Sequence, residues 1–341
     1  MTKKERIKAV INGIEPDVTP YHFDLTLMIN DKIAEYYNIE KDSVESFIGN
    51  HLLYLDFSAP EGFTPGRPGA NLTKDEFGVT WDIGQSHDIG DWGMVDHPIK
   101  DMSLEGYKFP NTEGKGRFKG VEELVEKNPD RFNVMRMTGL FDSAWHITGM
   151  EDLLISMVVE PGFADEILEK TADYIVGIIE QLPPCVEAVR LIEDWGKQNG
   201  LIMGLERWNR FLKPGLKRIH DACRKKGVRI MHHTCGDITE LFPEIIELGV
   251  DVIDAMQPEA MDLKFIKKEY GKDIVLFGGL GCQSTIPLGT PEDVVKEAQE
   301  TLNILGEGGK YILGPAGSIP TEAPVENVIA LVGFCKEIAN E

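Results

Sequence analysis

Residues 228–237 read Val-Arg-Ile-Met-His-His-Thr-Cys-Gly-Asp. A short apolar run that stops at a turn signal has the pattern of a buried strand. This one stops at His232, His233, Cys235 and Asp237, with Gly236 among them. Imidazole and thiolate are the ligand types that borderline-soft Zn²⁺ prefers, so the strand end suits a metal or an acid–base pair. The plainer alternative is a buried thiol beside satisfied imidazoles. The crowding of four polar groups at one strand terminus favours chemistry.

The same pattern recurs on either side. Strand-like runs stand at 19–24, 52–57, 133–138, 188–193, 251–256, 273–277 and 310–313, making eight with 229–233. A short amphipathic helix is expected over 2–14. Segments 160–181, 205–226, 238–248, 260–271 and 291–305 carry apolar residues at helical spacing. Such alternation predicts a parallel sheet with crossover helices, and eight units of this length predict an α/β (β/α)₈ TIM barrel spanning 1–341 as a single domain. A doubly wound sheet is the alternative, but no Gly-x-Gly-x-x-Gly joins a strand to a helix.

A long segment at about 59–131 follows the second strand. It opens with Pro60, Gly62, Pro65, Gly66, Pro68 and Gly69, and continues through Trp81, Trp92 and a run of Asp and His. A connection of this length inside a compact barrel is expected to be an irregular, lid-like insertion or an inserted hairpin.

Composition excludes several classes. The net charge of −22 argues against nucleic-acid binding, which needs basic patches. Five cysteines in a chain of 341 residues are too few, and odd in number, for a disulfide framework. No apolar run approaches the ~18 residues of a membrane span, and the polar N-terminal pattern lacks a signal-peptide core. The expectation is a cytoplasmic protein without a membrane partner.

In a (β/α)₈ barrel the chemistry sits at the C-terminal strand ends. Taken in order, those ends offer His22 and Asp24, then Asp56, then Arg136 and Thr138, then Glu193 and Asp194. His233 and Cys235 follow, then Asp254 and Gln257, Gly278-Gly279 with Cys282 beyond, and the Gly314–Gly317 loop. Individually, such an Asp often caps a helix, and Arg136 can serve as a counter-charge. Jointly they predict a site. Asp194, Glu193 and His233 are the candidate catalytic groups, and His22, Asp56, Arg136 and Gln257 the candidate substrate-binding groups. His233 and Cys235 are the candidate metal ligands. Catalytic Zn²⁺ takes three protein ligands and leaves one position open. The third would be Cys282 or Asp194, with Glu193, His146 and His22 as further possibilities.

Several pieces resemble the uroporphyrinogen decarboxylase superfamily, which includes cobalamin-dependent methyltransferases. They are His-Thr-Cys-Gly at 233–236, Glu-Asp-Trp-Gly-Lys-Gln at 193–198, Asp-Glu-Phe-Gly-Val-Thr-Trp at 75–81, Phe-Gly-Gly-Leu at 277–280, Gly-Thr-Pro-Glu-Asp-Val at 289–294 and Tyr-Ile-Leu-Gly-Pro-Ala at 311–316. Their order and spacing match over nearly the whole chain. The resemblance implies the same barrel, often paired as a homodimer. Family decarboxylases grip a tetrapyrrole polyacid through an Arg-rich segment after the first strand. Here that region, around residues 22–27, has no Arg, and Arg6 is the only one in the first 60 residues. A polycarboxylate without guanidinium partners is hard to hold.

The methyltransferase branch uses Zn²⁺ on a His-x-Cys and a later Cys. His233 and Cys235 match the first two ligands, while the later position falls near Gly317. The resemblance thus implies a methyltransferase working between a small methylated donor or thiol and a corrinoid protein, with zinc assisting. A metal-independent, decarboxylase-like lyase is the alternative.

Overall fold

The computed structural model describes residues 1–84 and 93–339. Trp92 and the adjoining Asp and His residues of the insertion lie outside the described residues. The strands are β1 (Leu52–Leu55), β2 (Gly66–Gly69), β3 (Leu72–Lys74), β4 (Thr80–Asp82), β5 (Gly93–Asp96), β6 (Phe132–Thr138), β7 (Ala188–Ile192), β8 (Gly196–Lys197), β9 (Gly200–Leu201), β10 (Arg229–His233), β11 (Val252–Met256), β12 (Val275–Leu280) and β13 (Tyr311–Pro315).

Seven of them form one parallel sheet in the order β1-β6-β7-β10-β11-β12-β13. Their side chains are buried almost throughout, as a sheet covered on both faces requires. Helices supply the outer cover. The longest is Pro161–Glu180, and Lys213–Lys226 packs beside it. All five predicted helical segments hold a helix.

The run at 19–24 is the difference. It forms isolated parallel bridges, Tyr21 to Leu313 and Leu25 to Ile319, in place of a regular strand. Pro20 explains part of this, because it has no N–H to donate to a ladder. Its carbonyl still accepts from Leu313 N at 2.9 Å, and His22 N donates back to Leu313 O at 3.0 Å. On the other flank His51 N donates to Tyr21 O at 3.2 Å. The Asn50 amide then takes the place of a backbone neighbour, pairing with Phe23 N at 2.8 Å and Phe23 O at 2.9 Å. The segment thereby joins β13 to the entrance of β1 and makes the sheet barrel-like.

The insertion is also more regular than its Gly and Pro content suggests. β2 to β5 form a four-stranded antiparallel sheet. Each strand has only three or four residues, too short for an alternating pattern to show. The sheet is anchored to the barrel by Glu76. Its carboxylate takes two contacts from the buried Arg117, at 2.9 and 2.7 Å, and one from the Tyr174 hydroxyl at 2.9 Å. Among the described residues no helix is long and apolar enough to cross a membrane.

Candidate functional site

Alternation along β10 sends its two histidines to opposite faces. His232 is fully buried and meets His220 of the outer helix Lys213–Lys226, Nε2 to Nε2 at 2.8 Å. His233 turns inward, where its Nδ1 pairs with Asp254 on β11. The chain then leaves the sheet in a tight turn. Gly236 has φ +81°, and a Cβ there would lie 2.5 Å from the Gly196 carbonyl carbon, so only glycine fits between this turn and the one after β7. Gly236 N donates to Gln257 Oε1 at 2.9 Å, and Trp195 N to Thr234 Oγ1 at 2.9 Å. The first contact ties the end of β10 to that of β11, and the second brings the ends of β7 and β10 together. Cys235 N donates to Asp194 Oδ1 at 3.1 Å.

The result is a trio. Asp194, His233 and Cys235 each offer one ligand atom, and all three lie within 4.8 Å of one another. Cys235 Sγ is 3.6 Å from His233 Nε2. A tetrahedral Zn²⁺ with ordinary Zn–N and Zn–S bond lengths separates those two ligand atoms by about 3.6 Å. The donor set therefore fits zinc. It also leaves a fourth position open, as catalytic sites do. The far side of the imidazole fits as well. An Nδ1 hydrogen-bonded to a buried carboxylate fixes the tautomer that exposes Nε2.

Arg190 completes this arrangement. It lies inside β7, is almost wholly buried, and clamps Asp254 through Nε at 2.7 Å and Nη2 at 3.2 Å. Its Nη1 reaches Asp24 at 3.4 Å and its Nη2 lies 3.0 Å from His233 Nδ1. The guanidinium also packs over the Tyr54 ring, 5.1 Å from its centroid. Burial alone would lower the His233 pKa, but the Asp254 carboxylate overrides it and raises the imidazole to about 10. A metal at Nε2 would take the place of that proton. Burial would also raise Asp254, and Arg190 with His233 reverse this and hold it well below the usual carboxylate range. Asp142 adds a further acid. Its Oδ1 accepts from Trp145 Nε1 at 2.9 Å and from Asp194 N at 3.2 Å, and burial pushes it up to about 6.

The other sequence-predicted residues divide. Asp56 and Arg136 pair at the rim, at 2.9 and 2.7 Å, and the Arg136 guanidinium also packs on Tyr54, 5.0 Å from its ring centroid. His22 is buried, edge-on to Tyr54 and Phe277, with no partner for either ring nitrogen. Gln257 braces the Gly236 turn. Glu193 is not with the trio. It faces the His232 side, where Oε2 accepts from Phe141 N at 2.9 Å and Trp195 Nε1 at 3.1 Å. Cys282 directs its thiol to Gly317 O at 3.6 Å, its pKa pushed up by burial, and stands outside the trio. His146 packs between Trp145 and Trp81, at 4.1 and 5.0 Å, and burial lowers it to about 4.

Arg190, Tyr54 and Asp142 are the residues that sequence reasoning passed over. Arg190 did leave a signal: an Arg inside the apolar run Ala-Val-Arg-Leu-Ile must find buried anions.

The sequence model of the family described as uroporphyrinogen decarboxylase (URO-D) matches residues 78–338. A methylated-thiol–coenzyme M methyltransferase of Methanosarcina mazei is 25% identical over 257 residues, covering 72% of this chain and 67% of that one. A methylcobamide:CoM methyltransferase MtbA of Methanosarcina acetivorans is 23% identical over 251 residues, 71% of this chain and 70% of its own length. A uroporphyrinogen decarboxylase of Anaeromyxobacter dehalogenans is 30% identical over 189 residues, 54% of this chain and 51% of its own length. Among solved structures, a methyltransferase from Methanosarcina mazei superposes with a TM-score of 0.77 at 17% identity, covering 99% of both chains. That likeness is one of fold.

Proposed function

The chain belongs to the uroporphyrinogen decarboxylase family, and within it we propose a methyltransferase that moves a methyl group between a small methylated donor or thiol and the corrinoid of a partner protein. The observation that carries this reading is the Asp194–His233–Cys235 trio, with its 3.6 Å Sγ–Nε2 separation and the buried carboxylate behind the imidazole. Asp194 would be the third ligand in preference to Cys282. Zinc bound there supplies Lewis acidity, lowering the pKa of a substrate thiol or polarising the heteroatom that carries the methyl group.

The protein's own groups do the rest. Asp254 and Arg190 hold the His233 ring with Nε2 toward the mouth. Asp142, near pH 6, stands one contact from Asp194 and can hold or accept a proton from a substrate. Arg136, Asp56, His22 and Gln257 shape the substrate cavity, and the β2–β5 sheet covers the mouth or receives the corrinoid partner. Glu193 positions the backbone after β6 and the Trp195 ring.

Two measurements test the reading together. Metal analysis of the purified protein should find zinc near one equivalent. Incubation with a corrinoid protein and a panel of methyl donors and thiols should change the cobalt absorption spectrum. Absence of zinc, an unchanged spectrum across the panel, and CO₂ release from a carboxylate substrate would instead favour lyase chemistry.

A further inference from the structure

The helix Leu140–Thr148 has one end in the site and the other against the inserted sheet. Its first residues meet, one after another, the residues that end and follow β7. Gly139 N donates to Ile192 O at 2.8 Å, Phe141 N donates to Glu193 Oε2 at 2.9 Å, and Asp142 Oδ1 accepts from Asp194 N at 3.2 Å. A Cβ on Gly139 would lie 1.8 Å from Glu193 Cγ, so the two segments meet with no room for a side chain between them.

Asp194 is thereby fixed from two sides. Asp142 holds its backbone N–H, and its own Oδ1 takes the Cys235 N–H at 3.1 Å. A ligand that is already tethered reaches a metal at a smaller loss of conformational entropy than a free one. The tethering oxygen is shared. Asp142 Oδ1 also accepts from Trp145 Nε1 at 2.9 Å, nearly one turn along the helix, and that second contact holds the carboxylate toward Asp194.

The other end of the helix belongs to the insertion. The His146 ring centroid lies 4.1 Å from that of Trp145 and 5.0 Å from that of Trp81 on β4, edge to face in both cases. Trp81 is itself tied down, its Nε1 donating to Asp75 Oδ2 at 2.8 Å. Beyond β5, Ile99 N donates to Ile147 O at 3.1 Å. A nine-residue helix is a rod about 13 Å long, and it carries a shift at one end to the other.

We propose that Asp142 and Trp145 are positioning residues for Asp194, and that the seating of the inserted sheet, through Trp81 and His146, sets how firmly the trio holds a metal. This rests on the reading of the trio as a metal site and adds a control on that site. A protein that docks on the sheet acts on Asp194 through this helix.

Cobalt(II) titrated into the metal-free chain, alone and against a chelator, gives an affinity and a visible ligand-field spectrum that reports ligand geometry. Trp145→Phe keeps a ring and removes the N–H; it should weaken cobalt about ten-fold and alter the bands. Asp142→Ala should do the same, whereas Asp142→Asn keeps an oxygen for both N–H contacts and should retain the parent's bands. Trp81→Leu should weaken cobalt about three-fold in the parent and cause no further loss in Asp142→Ala, where the tether is already absent. Hydrogen exchange in the metal-free chain reads the same tether without metal: the Asp194 amide should exchange faster in Trp145→Phe and in Trp81→Leu, with the amides of β12 unchanged. Unchanged exchange at Asp194, bands common to Asp142→Asn and Asp142→Ala, or a Trp81→Leu loss that persists undiminished in Asp142→Ala overturns the proposal. A parent chain that takes up no cobalt, with Asp194 exchange shifted as expected, counts against the metal reading and leaves the tether standing.

Discussion

Replacing Glu193 by Gln should stabilise the protein at high pH and change little at low pH. Glu193 is wholly buried at the end of β7. Its Oε2 has two N–H partners, but Oε1 has none, and the atom facing it, His232 Nδ1 at 3.6 Å, has none either. The hydrogen-bond column behind them assigns the protons. Leu248 O can only accept, so His220 carries a proton on Nδ1, 3.2 Å away. The His220 Nε2 therefore accepts from His232 Nε2–H at 2.8 Å, which leaves His232 Nδ1 bare. A protonated Glu193 fills the gap between two bare atoms. An ionised one would set a negative oxygen against a lone pair in a dry interior.

Burial pushes the Glu193 carboxyl from 4.5 up to about 8. Between those values the folded chain keeps a proton that the unfolded chain has released. Stability is thus untouched by this group below about pH 4.5, falls by about 1.4 kcal/mol per pH unit up to about 8, and is flat beyond, with a ceiling near 5 kcal/mol. Gln keeps both accepting contacts, can donate to His232 Nδ1, and does not titrate. The stability gap between Glu193→Gln and the parent should therefore widen by about 3 kcal/mol between about pH 5.5 and 9. Guanidinium unfolding followed by tryptophan fluorescence at the two pH values measures it. A gap that stays constant with pH, or a Gln variant that loses more stability at the higher pH, refutes the protonated assignment.

Other substitutions probe the mouth. Cys235→Ser and Asp194→Asn should each weaken zinc binding about 100-fold in competition with a chromophoric chelator, while Cys282→Ser should leave it unchanged. Arg190→Met should cost about 3–5 kcal/mol in denaturant unfolding, because Asp254 and Asp24 lose their shared cation in the interior; Asp254→Asn added to it should recover part of that loss. Gly236→Ala should lower stability by more than about 2 kcal/mol and weaken zinc binding, since its Cβ would sit 2.5 Å from the Gly196 carbonyl carbon at φ +81°. Melting temperature together with chelator competition checks both effects.

What was legible in the sequence was whatever repeats at short range. Apolar runs ending in polar residues or glycine located every strand of the parallel sheet, and with them the run at 19–24 that Pro20 keeps from forming a regular strand. The short strands β2–β5 left no such period. His233 and Cys235 were legible because two ligand types sit two residues apart. Asp194 entered as one choice among several; the Gly196–Gly236 contact, which joins two turns 40 residues apart, and the Trp195–Thr234 hydrogen bond bring it to Cys235.

Arg190 was hidden for a related reason. Its meaning depends on anions 64 residues later and 166 residues earlier in the chain, and no local pattern records them. Yet this one residue sets two features of the site. By clamping Asp254 it sets the carboxylate against His233 Nδ1 and frees Nε2 for a metal. By the same contacts its own fork is consumed. An imidazole prepared for zinc and a guanidinium already spent on carboxylates both follow from the one buried cluster of Arg190, Asp254 and Asp24.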